Sequence, residues 1–264
     1  MPELPEVETV VRSIAAIAGQ RILNAEFRNL RILRGGDPAR MSARLQGRRI
    51  VAIRRYGKFI VASVGGGGYL MIHLGMTGRL LLGGAPGKHT HAIFTFDRAT
   101  LLFDDSRQFG CIEFSEEFPH RVARLGPEPL EVPFDQFAAA LRRRKTRIKS
   151  LLLDQTFVRG VGNIYADEAL FRAGIHPLAL TQRIRRDRVR KLYDAIVAVL
   201  TEAIAAGGSS ISDYVDAEGR PGFFQISHRV YQRTGQPCTA CRTPIRRVIV
   251  AQRSSHFCPR CQTR

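Results

Sequence analysis

Lysine is scarce in this chain: Lys58, Lys88, Lys145, Lys149 and Lys191 are the whole supply among 264 residues. Side-chain amine chemistry is therefore confined to five positions. Acidic residues are also few, 23 against 41 Lys and Arg, which leaves a formal charge of +18. The excess lies on both sides of residue 130 and is larger beyond it. Arg-rich coding explains Arg over Lys but not basic over acidic, so a polyanionic partner bound with counterion release is expected. No run of about 18 apolar residues occurs, which excludes a membrane-spanning helix. The N-terminus lacks a basic-then-apolar signal pattern, so a cytosolic protein without a membrane partner is expected. No internal repeat is present. Nucleotide-binding loops fail too, because GKHT lacks Ser or Thr directly after its Lys and GVGNIY lacks a third glycine.

What remains is a globular composition, 44% apolar and 24% charged, long enough for one large domain or two modest ones with real cores. Four of the five cysteines form two knuckles, Cys238-x2-Cys241 and Cys258-x2-Cys261, with sixteen residues between them. Four thiolates at that spacing suit one tetrahedral structural zinc. Two disulfides are the alternative, and a cytosolic chain disfavours them. Cys111 reads as a buried, apolar-like residue. Between the knuckles, IRRVIVA and His256-Phe257 read as two strands with a turn at 252–255, which puts Arg253 near the tip of a hairpin. A rigid Arg there is placed to grip a phosphate. His256 is a spare ligand for a shell that four cysteines already complete.

The first residues, MPELPEVET, carry a second chemistry. Removal of the initiator Met would expose Pro2, whose secondary amine can form a cationic imine with an aldehyde. An α-amino group titrates near neutrality and is partly unprotonated. Glu3 and Glu6 stand beside it to move protons. An ordinary processed terminus is the alternative.

Residues 1–125 read mostly as strands. A helical start (7–18) and a short helix (38–45) accompany RRIVAIRRY, KFIVASV, YLMIHL, HAIFTF, TLLFDD and CIEF, separated by Gly-rich turns, as in a sandwich or barrel. From about 131 the apolar spacing becomes helical, over 134–144, 148–153, 164–173 and 187–206. GVGNIYADEAL puts Asp167 and Glu168 in the first turn of one helix, which suits a phosphate-binding turn or a plain connection equally. The basic runs 142–149 and 183–191 read as solvated faces. Residues 207–222 form a polar, Gly-rich stretch long enough for a functional loop. Met76, Arg107 and Phe109 sit at strand-to-loop junctions. They could fill the gap left by an extruded nucleotide, or be core Met and Phe with a solvated Arg.

Taken in order, PELPEVET, YGKFI, HLGMTG, DSRQFG, LGPEPL, LLLDQTFVRGVGNIYADEALFRAGIHP and the finger ending CPRCQ resemble the formamidopyrimidine-DNA glycosylase family over nearly the whole chain. PELPE is similar to the oxidised-purine branch rather than the endonuclease VIII branch. The resemblance implies an α+β multidomain fold: an N-terminal β-sandwich with flanking helices (1–125), a helix–two-turn–helix region with a base-covering loop (131–225, the loop near 209–223), and a four-cysteine zinc-finger hairpin (228–264). It also implies damaged duplex DNA as partner, held between halves of a cytoplasmic monomer. The implied roles are Pro2 as nucleophile, Glu3 as general acid and base, Glu6 in support, and Lys58 as an acid in β-elimination. Arg253 would act on phosphate and in δ-elimination. His89, Lys145, Asn163 and Tyr165 would bind DNA, with Met76, Arg107 and Phe109 filling the helix. The departures are Gln232 where the family has Gly in VYGR, with His228 and Arg159 replacing apolar or small residues.

Overall fold

Pro5 in a first helical turn, with Glu6 beside it, favours a helix start that needs no Ser or Asp cap. The computed structural model, which describes every residue except Gly35, Ser212 and Asp213, accordingly begins α1 at Leu4–Ser13. That is earlier than the expected residue 7. A 3-10 turn, Ala15–Ile17, completes the stretch.

The strands β1 (Ile22–Phe27) and β2 (Leu33–Arg34) follow, then α2 (Pro38–Leu45). Next come β3 (Ile50–Tyr56), β4 (Phe59–Val64), β5 (Tyr69–His73) and β6 (Gly78–Leu82). After these lie β7 (Thr90–Phe96), β8 (Thr100–Asp105), β9 (Cys111–Ser115) and the short α3 (His120–Ala123). The strands form a four-stranded sheet, β1-β7-β8-β6, and a five-stranded sheet, β2-β9-β5-β4-β3. Alternate residues of both sheets meet in one core, including Ile22, Phe94 and Phe103 from the first and Ile60, Ile72 and Ile112 from the second. Val7 and Val10 of α1 join that core. This is the expected sandwich.

The helices are α4 (Phe134–Arg142), α5 (Ile148–Leu153), α6 (Asn163–Arg172) and α7 (Arg186–Ala205). A terminal hairpin pairs β10 (Arg246–Val250) with β11 (Arg253–Phe257), antiparallel, Val250 opposite Arg253. The turn is the pair Ala251-Gln252, both with positive φ (47° and 59°), as a two-residue hairpin turn of right-handed twist requires. Arg253 therefore opens the return strand instead of lying in the turn.

Two compact units divide the chain: residues 1–124 with 206–225, and residues 125–205 with 226–264. The stretch 206–225, grouped with the helical region on sequence grounds, is held within the first unit. Ala217 sits in the sandwich core, and its carbonyl accepts from Leu82 N–H at 2.8 Å.

Candidate active site and nucleic-acid surface

In the first unit, Pro2, Glu3 and Glu6 are all buried. Glu6 is a bridge between two backbone amides. Its Oε2 accepts from Glu3 N–H at 2.8 Å, and its Oε1 accepts from Ser209 N–H at 2.7 Å. Gly208 makes the second contact possible: its φ is +83°, and a Cβ there would lie 2.8 Å from Glu6 Oε1. Tyr214 adds a third tie, donating its hydroxyl to the Glu6 carbonyl at 3.2 Å. The segment 209–223, expected to cover an extruded base, is thus rooted on α1; its residues 212 and 213 lie outside the described set.

Lys58 stands in the two-residue turn between β3 and β4, where Tyr56 pairs with Phe59, and is buried. Its charge reaches the chain terminus. The terminal ammonium, on Met1, is held below its ordinary 8.0 chiefly by burial, with Lys58 and Arg107 pushing the same way and Glu3 and Glu6 opposing. An amine, two carboxylates and two cations therefore share one electrostatic neighbourhood, and burial biases the Met1 amine toward its unprotonated form.

Met76, Arg107 and Phe109 come together on adjacent loops. Met76 is 42% and Phe109 55% exposed, and the Arg107 guanidinium lies over the Phe109 ring at 4.7 Å. Core packing is thereby excluded for both apolar side chains. Gly75 permits the approach, because a Cβ on it would fall 2.4 Å from the Phe109 carbonyl carbon. Asp105, absent from the sequence expectations, organises both loops. It is fully buried and accepts from the Thr77 hydroxyl, Arg107 N–H at 3.2 Å and Gly110 N–H at 2.7 Å. The Asp-Asp-Ser run before Arg107 was the available signal, since Asp takes N–H bonds two residues on. His89 is exposed nearby, its carbonyl accepting from Asp105 N–H at 3.0 Å.

In the second unit, Asn163 opens α6 and donates from Nδ2 to Ser254 O at 3.0 Å. Asn163 and Arg253 line one open, polar concavity of about 740 Å³. Tyr231, Gln232, Thr234, Arg247, Ser254 and His256 complete its wall. Lys145 is exposed in the connection between α4 and α5 and is not part of that wall. Tyr165, expected at the DNA surface, is 1% exposed and fills the core of α6 instead.

Asp167 and Glu168 are corrected as well: both lie beyond the first turn of α6 and are buried. Asp167 pairs with Lys149, itself 0% exposed, and accepts from His256 N–H at 2.9 Å. Lys149 is therefore no part of a solvated face. Glu168 accepts the N–H groups of Arg229, Val230 and Tyr231 at 2.9, 3.0 and 2.9 Å. These carboxylates pin the zinc module to α6 and face no phosphate. Arg159 pairs with Glu128 at 3.0 Å, and His228 packs edge-on to Tyr231.

The four knuckle sulfurs all lie within 4.8 Å of one another. The pairs Cys238–Cys261 and Cys241–Cys258 are 3.9 and 3.4 Å apart, separations that fit sulfurs at about 2.3 Å from one tetrahedral Zn²⁺. The site takes a structural zinc with a closed shell. His256 is engaged by Asp167 and lies outside it. Cys111 is buried, as expected.

Residues 1–112 match the formamidopyrimidine-DNA glycosylase N-terminal domain, 125–215 its H2TH domain, and 235–264 the zinc finger found in FPG and IleRS. A formamidopyrimidine-DNA glycosylase of Solibacter usitatus is 80% identical over the whole of both chains. The chain belongs to the formamidopyrimidine-DNA glycosylase family. Membership makes it a DNA glycosylase, an enzyme of base excision repair. The structure of MutM (Fpg) from Thermus thermophilus superposes with a TM-score of 0.90 at 42% identity, covering 99% of this chain and 98% of that one. Wild-type Lactococcus lactis Fpg, solved with DNA containing N7-benzyl-Fapy-dG, gives 0.91 at 36% identity over 100% of each. Among the described residues no helix is long and apolar enough to cross a membrane.

Proposed function

We propose that this chain is a bifunctional glycosylase and abasic-site lyase acting on oxidised purines in duplex DNA. The observation that carries the reading is the chain terminus, where Pro2, Glu3 and Glu6 are all buried, Glu6 bridges the Glu3 and Ser209 amides, and the charges of Lys58 and Arg107 reach the terminal amine. After removal of Met1, the Pro2 nitrogen attacks C1′ of a flipped 8-oxoguanine or formamidopyrimidine nucleoside and the base leaves. Glu3 moves the protons that open the sugar, and the nitrogen and C1′ become a cationic imine. That imine draws the electron pair released when a C2′ proton is removed, and the 3′ phosphate departs; Lys58 serves as acid. A second elimination, with Arg253 at the phosphate, releases the 5′ phosphate. Glu6 keeps the terminus and loop base in register.

Met76, Arg107 and Phe109 fill the space left in the helix. His89, Lys145, Asn163 and Arg253 hold the backbone, while the segment near 209–223 covers the extruded base. The sandwich unit (1–124 with 206–225) and the helical and zinc-finger unit (125–205 with 226–264) act in a monomer in the cytoplasm. The closed thiolate shell leaves zinc no open coordination position, so the chemistry rests on the amine.

The test uses end-labelled duplexes carrying 8-oxoguanine, a formamidopyrimidine or an oxidised pyrimidine. The reading predicts a one-nucleotide gap with phosphate at both ends, formed fastest at the purine lesions. Preference for the pyrimidine, or base release that leaves the strand intact, would overturn it.

A further inference from the structure

The segment that leads into the zinc module makes a tight turn, closed by Arg233 N–H donating to Val230 O at 3.1 Å. Gln232 holds the third place of that turn with φ +58°. A positive φ at this position ordinarily selects Gly or Asn, because a longer L side chain is disfavoured there. Nothing nearby lets the chain relax out of it: Glu168, buried, grips the three preceding amides, Arg229 to Tyr231. The family resemblance expects Gly at this place, so the sequence carries a side chain where the backbone asks for none. Residues kept in disfavoured backbone conformations concentrate where a ligand is handled.

The side chain lies where that cost has a use. Gln232 is exposed and lines the same concavity as Asn163, Arg247, Arg253, Ser254 and Thr234. Every one of these offers a donor, and two are guanidinium groups, which is the donor set of a phosphodiester site. A carboxamide adds a neutral N–H donor to it. Resting on the phosphate-binding role proposed for this surface, we infer that Gln232 is a further DNA-contact residue, donating its Nε2–H to a backbone phosphate beside the one gripped by Arg253.

A neutral donor has a signature that a cation lacks. It displaces no counterion, so its loss weakens binding by the same factor at every salt concentration. Removing it should also relieve the backbone, so binding and stability should not fall together.

The experiment measures affinity of the zinc-loaded, full-length protein for a duplex bearing a tetrahydrofuran abasic analogue, at several salt concentrations. Q232G should raise Kd at least about tenfold, the effect of one hydrogen bond from a neutral donor to a charged acceptor. The slope of log K against log salt should be unchanged, the melting temperature unchanged or higher, and the zinc content intact. In turnover, KM should rise with kcat unaltered. Q232E, which keeps the shape and sets a charge against phosphate, should lose more and show a shallower slope. Wild-type affinity of Q232G at all salts would overturn the inference, as would a loss accompanied by a lower melting temperature, which marks a folding role. R253A separates the two layers. If it weakens binding with a shallower slope while Q232G does not, Gln232 is excluded and the phosphate surface stands; if neither changes binding, the phosphate surface itself falls.

Discussion

Protonation of His73 would cost the folded chain a specific bond. Its Nδ1 accepts from Gly75 N–H at 3.2 Å, at the loop that presents Met76. Burial first, then the charges of Arg121 and Lys58, push its pKa from 6.5 down to about 4. Between those values the unfolded chain binds a proton that the folded chain does not. This contribution is therefore fully present above pH 6.5 and is lost as pH falls toward 4, by about 2 kcal/mol at pH 5. H73Q, uncharged throughout, is predicted to narrow the drop in melting temperature between pH 7 and pH 5. An unchanged drop would show that acid sensitivity arises elsewhere. Other single residues were unevenly legible. The four cysteines could be read from spacing alone, because zinc demands that spacing. Lys149 could not: it sits among exposed basic residues in sequence, and only its pairing with Asp167 buries it. Asp105 went unseen because, beyond the local amides its Asp-Asp-Ser context signals, its role lies in tying the Thr77 hydroxyl of one loop to the Arg107 and Gly110 amides of another.

Helices and strands with a clear apolar period were found with small errors at their ends. β1, β2 and β6 were not, since Asn24 and Glu26 interrupt the first, the second is two residues long, and the third starts at Gly78, three residues after Gly75. The hairpin turn was placed one residue late because Ala251 and Gln252 carry no Gly or Asn to mark positive φ. The loop base illustrates how an element serves the site. In G208A a methyl group would strike the Glu6 carboxylate at 2.8 Å, on a backbone with φ +83°. Gly219 has a similar φ of +80° and nothing within 4 Å, so G219A carries the strain alone. Both variants should lose about 1–2 kcal/mol of stability from that strain. G208A is predicted to slow single-turnover excision at least about tenfold more than G219A, because mispositioned catalytic groups cost far more than loop strain. Equal rates in the two would show that the Glu6 bridge does not govern the chemistry.

At the scale of the whole molecule, the charge of +18 pointed to a polyanion, and the order of motifs along the chain pointed to the family that the comparisons confirm. Neither reveals which atom attacks. Sequence reading also could not group 206–225 with the sandwich, because the ties that do so join residues about two hundred positions apart. The central claim concerns one nitrogen, and reductive trapping reaches it directly. Borohydride added during reaction with an 8-oxoguanine duplex should fix a covalent adduct. Proteolysis and mass analysis should place the DNA remnant on the peptide beginning at Pro2, with Met1 absent. A remnant on Lys58, or full-speed cleavage by chains that retain Met1, would contradict the account.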